Sequence, residues 1–424
     1  MRIMRLKLAN VRAIETAEFH FRPGFNLVAG VNGVGKTTVL DALAVCLSAI
    51  VSRAGGPRRS SVFFVADDIR IGVGALQLEC GFELAGEVET YTLHRPRESV
   101  VVPKEMDQFD RRETGHTAST IRTIAEFYPG MPTEGEARPS ESRPLAVLFS
   151  TNRAMPSERA PPKNVATGGV SAAYSDALSN RRELRLAEFA AWMRTQEALS
   201  SERAAAKHML AAFDAAVTRF LPDYRNFRVG EAGKRGHLLL IDRSEVTLPI
   251  RSLSDGERGV LALVLDLTRR LAQANPEMDD PAAEAEAVVL IDEIELHLHP
   301  AWQRRIVRNL TETFPNCQFI ATTHSPQLIG EVEHDRIHII ADGEVYSPTH
   351  SFGIDSSRVL EEIMGTDPRT VSVKELLSRI SQTIGDDRYG DARELLADLS
   401  DRVGENDPEV TRILTLLDFM TGKE

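Results

Sequence analysis

Gly30-Val31-Asn32-Gly33-Val34-Gly35-Lys36-Thr37 fits the pattern GxxxxGK[ST] in full. It lies between an apolar run, Phe25–Ala29, and an apolar stretch of helical character, Thr38–Ile50. A strand, a glycine-rich loop and a helix in that order form the context in which backbone N–H groups turn inward around phosphates. Lys36 then neutralises phosphate charge, and the Thr37 hydroxyl is a ligand for Mg²⁺. Asn32, Gly33, Val34, Gly35 and Thr38 complete the set expected to line the nucleotide. The motif predicts an α/β fold with a parallel sheet.

A second decisive stretch is Val288-Val289-Leu290-Ile291-Asp292-Glu293, an apolar strand ending in two carboxylates. Such a strand fixes Asp292 at the carboxyl edge of a sheet, where it can hold Mg²⁺. Glu293 is then placed to orient or deprotonate a water. Between the two motifs lies Leu253-Ser254-Asp255-Gly256-Glu257-Arg258, with Ser254 a natural N-cap for the helix predicted over 256–273. After them comes Ala321-Thr322-Thr323-His324-Ser325.

The order of these four motifs resembles that of ABC-type ATPases. The resemblance implies that Ser254 and Gly256 bind the terminal phosphate held by a second copy, and that His324 contacts that phosphate in its own copy. The opening strand with Asn10-Val11-Arg12, and the run Asp292-Glu293-Ile294-Glu295-Leu296-His297-Leu298-His299-Pro300, resemble the RecF, SMC and OLD branch. Arg12 thereby matches an arginine that reaches the nucleotide. Thr151-Asn152-Arg153, Trp302-Gln303 and Ser351-Phe352-Gly353-Ile354-Asp355-Ser356 extend the similarity to the ATPases of Septu and Septu-like retron antiphage systems. Two departures stand out. Position 255 is Asp where many transporters have Gly, and Ala66-Asp67-Asp68-Ile69-Arg70 occupies the stretch where a glutamine loop belongs. Asp68 is a candidate metal link there, or an ordinary surface acid. His297 and His299 fall in a segment expected at a subunit interface and are assigned no zinc.

The rest of the chain sets the frame. Its 424 residues carry a net charge of −12, which argues against a basic nucleic-acid coat but leaves local patches open. Residues 351–424 hold 16 acidic against 9 basic side chains, so most of the excess sits in the last sixth of the chain. Three isolated cysteines (Cys46, Cys80, Cys317) fit reduced thiols in the cytoplasm rather than a disulfide framework. No signal-peptide pattern and no run of about 18 apolar residues is present, so no membrane partner is expected.

Met4, Leu6 and Leu8 alternate with basic residues and predict a strand with one buried face. Further strands are expected at 18–21, 76–82, 145–150, 226–229 and 237–242, with polar insertions over 95–143 and 156–169. The alanine-rich run 175–221 reads as helical, serving either as a dimerising arm or as packed core. Arg181-Arg182, Arg269-Arg270 and Arg304-Arg305 are either phosphate contacts or solvated helix faces.

The expected architecture is an ABC-type P-loop head: an N-terminal mixed β lobe plus a parallel sheet flanked by helices, with a helical insertion and a C-terminal helical tail. The boundaries are 1–170, 171–225, 226–350 and an acidic tail, 351–424, for docking a partner. The expected function is an ATP- and Mg²⁺-dependent ATPase, a homodimer or higher oligomer, with Lys36, Glu293 and His324 as its catalytic residues. By resemblance, it controls a separate HNH-type nuclease in antiphage defence, with DNA or reverse-transcribed DNA as a further partner. No nuclease constellation is visible in this chain. The alternatives are a RecF- or SMC-like repair ATPase that binds duplex DNA directly, and a scaffold that binds ATP without hydrolysing it.

Overall fold

A computed structural model describes residues 1–51, 62–84, 86–97, 143, 145–154, 169–180, 182, 185–231 and 237–422. The insertion expected over 156–169, and most of that over 95–143, lie outside the described residues. Residues 1–356 form one unit and 357–424 a second.

The first unit is built on two sheets. Strands β1 (Arg2–Val11), β2 (Ile14–His20), β4 (Ala75–Leu84) and β5 (Glu87–Pro96) form an antiparallel sheet in the order β2-β1-β4-β5. Strands β3 (Phe25–Ala29), β6 (Leu145–Phe149), β10 (Ala287–Ile291), β11 (Cys317–Thr323), β12 (Ile337–Ala341) and β13 (Glu344–Tyr346) form the other, ordered β13-β12-β3-β11-β10-β6. Only β13 runs antiparallel to its neighbour there. Every residue of β3, β6, β10 and β11 is buried, as expected of parallel strands covered on both faces.

Helix α1 (Lys36–Val51) follows the phosphate loop and packs against strands of both sheets. It is therefore apolar nearly all round rather than on one stripe, because it fills the layer between them.

In β1 the expected alternation breaks at one point. Leu6 and Leu8 are buried, but Met4 is 42% exposed and Ile3 is buried instead. The pairing of β1 with β4 shifts register between Ile3 and Arg5, and such a bulge moves the following side chains to the other face.

The predicted helical run at 175–221 resolves into α2 (Leu186–Leu199) and α3 (Ala204–Phe220), preceded by a single turn, Val170–Tyr174. Phe189, Met193, Phe213 and Val217 are all buried. Helix α3 packs on α4 (Asp255–Ala274) and on α5 (Pro300–Thr313), so the apolar stripes serve the core. A three-stranded antiparallel sheet, β7 (Tyr224–Glu231), β8 (His237–Arg243) and β9 (Val246–Pro249), leads into α4.

Three of the arginines in those pairs are neither phosphate contacts nor solvated faces. Arg182, Arg269 and Arg270 converge on buried Asp266: Arg182 pairs with Oδ2, Arg270 Nε donates to Oδ2 at 2.9 Å, and Arg269 Nη2 to Oδ1 at 2.8 Å. Burial opposes the Asp266 charge, but the three guanidinium groups outweigh it and hold the carboxyl far below its usual range. Burial in turn lowers Arg270 to about 10. Arg304 and Arg305 are exposed on α5, and Arg181 lies outside the described residues.

The second unit has its own core. Helices α6 (Val371–Gly385), α7 (Tyr389–Val403) and α8 (Pro408–Thr421) bury Leu376, Ile380, Leu396, Leu399, Ile413 and Leu417 together. Asp407 caps α8 and pairs with Arg369 at 2.9 Å. The first helix expected in the tail is short: a turn at Ser356–Arg358 followed by a π-helical stretch, Val359–Ile363.

Candidate nucleotide site

The phosphate loop leaves β3 at Gly30 and enters α1 at Lys36. Gly30, Gly33 and Gly35 take φ values of 152°, 87° and 106°, where a side chain is strained. A Cβ on Gly30 would also lie 2.6 Å from the Ile340 carbonyl oxygen on β12, so this glycine is required twice over. Val34 packs against the core and anchors the loop, while Val31, Asn32 and Gly33 are exposed at its rim. Lys36 Nζ donates to the carbonyl oxygens of Gly30 and Val31, each at 2.9 Å. Burial lowers the Lys36 pKa, against the opposing pull of Glu295, Glu293 and Asp292. Thr38, the third residue of the helix, is buried, whereas Thr37 is exposed.

Sheet order then brings the second motif to the first. Strand β11 separates β3 from β10, so the ends of β3 and β10 lie one strand apart at the same carboxyl edge. Thr37 Oγ1 sits 3.2 and 3.3 Å from the two oxygens of Asp292, although the residues are 255 positions apart. Thr322, at the end of β11, links this acid to the next. Its hydroxyl donates to Asp292 Oδ1 at 2.6 Å and accepts the Glu293 N–H at 2.8 Å. Glu293 takes a φ of 46°, a conformation that non-glycine residues adopt only when the surroundings impose it.

Part of that constraint is Arg153, whose role the sequence did not disclose. Its guanidinium donates to the carbonyl oxygens of Asp292, Glu293 (2.6 Å) and Ser150 (3.1 Å). Burial lowers its pKa to about 10, against the influence of Asp292, Glu295 and Glu293. The available signals were its place in Thr151-Asn152-Arg153, which carries part of the resemblance, and the fully apolar strand Leu145–Phe149 shortly before it. Glu295 was equally silent: its Oε1 accepts the His324 backbone N–H at 2.7 Å and lies 3.0 Å from His324 Nδ1.

Arg12 and Asp68 meet each other. Arg12 Nε donates to Asp68 Oδ1 at 2.8 Å and Nη1 to Asp41 Oδ2 at 2.6 Å, with the guanidinium 5.7 Å from the Phe64 ring centroid. Burial opposes the Arg12 charge, but the two carboxylates outweigh it and raise its pKa. Asp41, on α1, is itself raised by burial, partly offset by Arg12.

Ser254 is exposed and caps α4: its hydroxyl accepts the Glu257 N–H at 3.3 Å, and Glu257 Oε2 accepts the Ser254 N–H at 3.1 Å. Among the described residues its hydroxyl is bonded to Glu257 and not to the phosphate loop of its own chain. Gly256 is pressed against the segment after Glu293, where a Cβ would lie 2.4 Å from the His297 carbonyl oxygen. His297 is exposed with φ 61°, and His299 Nδ1 caps α5 by accepting the Ala301 N–H at 3.2 Å. Among the described residues, no group of three or more His, Cys, Asp or Glu side chains is arranged to hold a metal by itself. A hydroxyl and one carboxylate beside a phosphate loop do suit Mg²⁺, which takes a few protein oxygens and completes its shell from phosphates and water.

The parallel sheet, the loop between β3 and α1, and the Thr37–Asp292–Thr322–Glu293 constellation define an α/β fold with a P-loop site at its carboxyl edge. Family models agree in part: one described as "AAA domain" matches residues 5–189, and one described as "AAA domain, putative AbiEii toxin, Type IV TA system" matches 164–330. The chain is similar to the "Retron Ec83 probable ATPase" of Escherichia coli, at 24% identity over 97% of this chain and 86% of that protein. It is also similar to the "Retron Vc95 probable ATPase" of Vibrio cholerae serotype O1 biovar El Tor, at 36% identity over 39% of this chain and 33% of that one. The "Septu protein PtuA" of Bacillus thuringiensis aligns at 22% identity over 86% of this chain and 84% of its own length. No described helix is long and apolar enough to cross a membrane.

Proposed function

We propose that this chain is an ATPase of a retron- or Septu-like antiphage defence system, in which nucleotide-dependent pairing of two copies controls a separate effector. The observation that carries the reading is the approach of Thr37 to Asp292 beside Lys36, with Glu293 held by Thr322. These groups make one half of a site: Lys36 and the loop amides bind phosphates, Thr37 and Asp292 hold the metal, and Glu293 orients or deprotonates the water. Bound ATP supplies the anhydride to be cleaved, and Mg²⁺ neutralises charge that develops on it.

Ser254 is exposed at a helix N-terminus, a location suited to an anion, and among the described residues it is not bonded to the phosphate loop of its own copy. A second copy placing Ser254 and Gly256 over the first copy's loop closes the site. ATP then favours the closed pair by its differential affinity for it, and hydrolysis reopens it. Similarity to the retron and Septu proteins supports the defence setting, and the acidic tail is the proposed docking module for an effector such as an HNH nuclease. The direct DNA-binding alternative loses support from Arg182, Arg269 and Arg270, which are committed to Asp266.

ATP turnover and solution size, measured for the wild type, Lys36→Ala and Glu293→Gln, test this reading. Lys36→Ala should lose nucleotide binding, and Glu293→Gln should bind ATP, accumulate as the pair and turn over at least about a hundredfold more slowly. Wild-type turnover by Glu293→Gln would remove Glu293 from its role. Absence of steady-state turnover in the wild type with every partner present would leave the ATP-binding scaffold. Co-purification of the effector with and without residues 351–424 tests the tail.

A further inference from the structure

Glu295 lies two residues beyond Glu293 and is 6% exposed. Its Oε1 accepts the backbone N–H of His324 at 2.7 Å and lies 3.0 Å from the ring nitrogen Nδ1. A carboxylate oxygen offers only lone pairs, so the ring proton in this contact resides on Nδ1. The ring edge thus lies against the same oxygen that accepts the residue's own main-chain N–H. Nε2 is then the ring nitrogen left for the site, and the His324 side chain is 47% exposed and open to an entering group.

The other oxygen of Glu295 is harder to explain as packing. Oε2 is buried and has no hydrogen-bond partner among the described residues. Leaving half of a buried carboxylate unsatisfied is costly, and an apolar side chain of similar size would avoid that cost.

We propose that Glu295 is a positioning residue for His324: it fixes the ring orientation and commits Nδ1, so that Nε2 faces the terminal phosphate. This rests on the ATPase reading above and adds a residue to it. Glu295 need not touch the nucleotide, and its effect on the reaction passes through His324. Its removal should therefore slow turnover with little change in nucleotide affinity, and should do so only while His324 is present.

The test is a double-mutant cycle on the full chain with any required partner, reading kcat for ATP and the Kd of a fluorescent ATP analogue. Glu295→Ala and His324→Ala are each expected to lower kcat about tenfold or more with Kd within about twofold, and the double variant to match His324→Ala. Glu295→Gln, which keeps an acceptor oxygen, should recover part of the loss, and it supplies the same cycle if Glu295→Ala fails to fold. Losses that multiply in the double variant would overturn the proposal, as would a wild-type kcat in Glu295→Ala. A wild-type kcat in His324→Ala would overturn the proposal together with the role of His324, while loss of analogue binding in Lys36→Ala would still uphold the nucleotide site.

Discussion

The Thr322 hydroxyl bridges the two acids that end β10, donating to Asp292 at 2.6 Å and accepting from the Glu293 N–H at 2.8 Å. A single side chain on the neighbouring strand thus sets where one acid points and where the next begins. Thr322→Val keeps the shape and removes both bonds. Because Thr322 is fully buried, the change should cost about 1–3 kcal/mol of stability, through the orphaned donor and acceptor. Urea melts should show the loss, and turnover should fall further than the stability change explains. Thr322→Ser should restore both.

Arg153 grips the same stretch from behind through the carbonyl oxygens of Asp292 and Glu293. Lysine keeps the charge but lacks the planar fork. Arg153→Lys should therefore bind a fluorescent ATP analogue normally yet turn over at least about tenfold more slowly, because Glu293 is no longer held at its φ of 46°. Equal turnover in the two proteins would count against this.

Asp266 balances three arginines in the interior beneath α4. Asp266→Asn leaves those charges without their counterion, which should cost about 3–5 kcal/mol. A thermal or urea denaturation curve measures it. Its folded carboxyl is held so low that the contribution is present above the unfolded pKa of 3.8 and persists through mild acid.

His338 acts in the same direction, in a higher pH window. Buried against Phe19 and Phe21, it is lowered from 6.5 to about 4, chiefly by burial with a small push from His20. Below pH 6.5 the unfolded chain takes up a proton that the folded chain refuses until about pH 4. Stability is thus complete above pH 6.5 and falls as pH drops through that window, by on the order of 3 kcal/mol. Urea midpoints at pH 7 and pH 4.5 should differ less in His338→Leu than in the wild type.

The linear motifs were legible because their chemistry lies in consecutive residues. The strand before Gly30, the helix after Lys36 and the apolar strand before Asp292 all stand where periodicity put them. What stayed hidden depends on contacts across the chain. Arg153 meets Asp292 across 139 positions, and Glu295 meets His324 across 29. No local spacing rule reaches that far. Local shape misled once, at Met4, where a bulge reversed the faces of β1. It misled again at Arg269-Arg270, because doubled arginines on a helix look solvated until a buried aspartate arrives from the same helix. Strands β5, β9, β12 and β13 escaped notice: the polar residues of β5 run up to an insertion, and β9 and β13 are only four and three residues long.

Strand β3 carries the phosphate loop, yet its two neighbours, β11 and β12, are supplied roughly 300 residues later. On the ribosome, Phe25–Ala29 must wait with both edges open until the chain has been made past Ala341. Contacts of such long range fold slowly, and an apolar strand left unpaired invites association with other chains. The phosphate loop is thus synthesised well before the two strands that complete its sheet. A chain cut off before β11 should accumulate as aggregate rather than as a nucleotide-binding fragment.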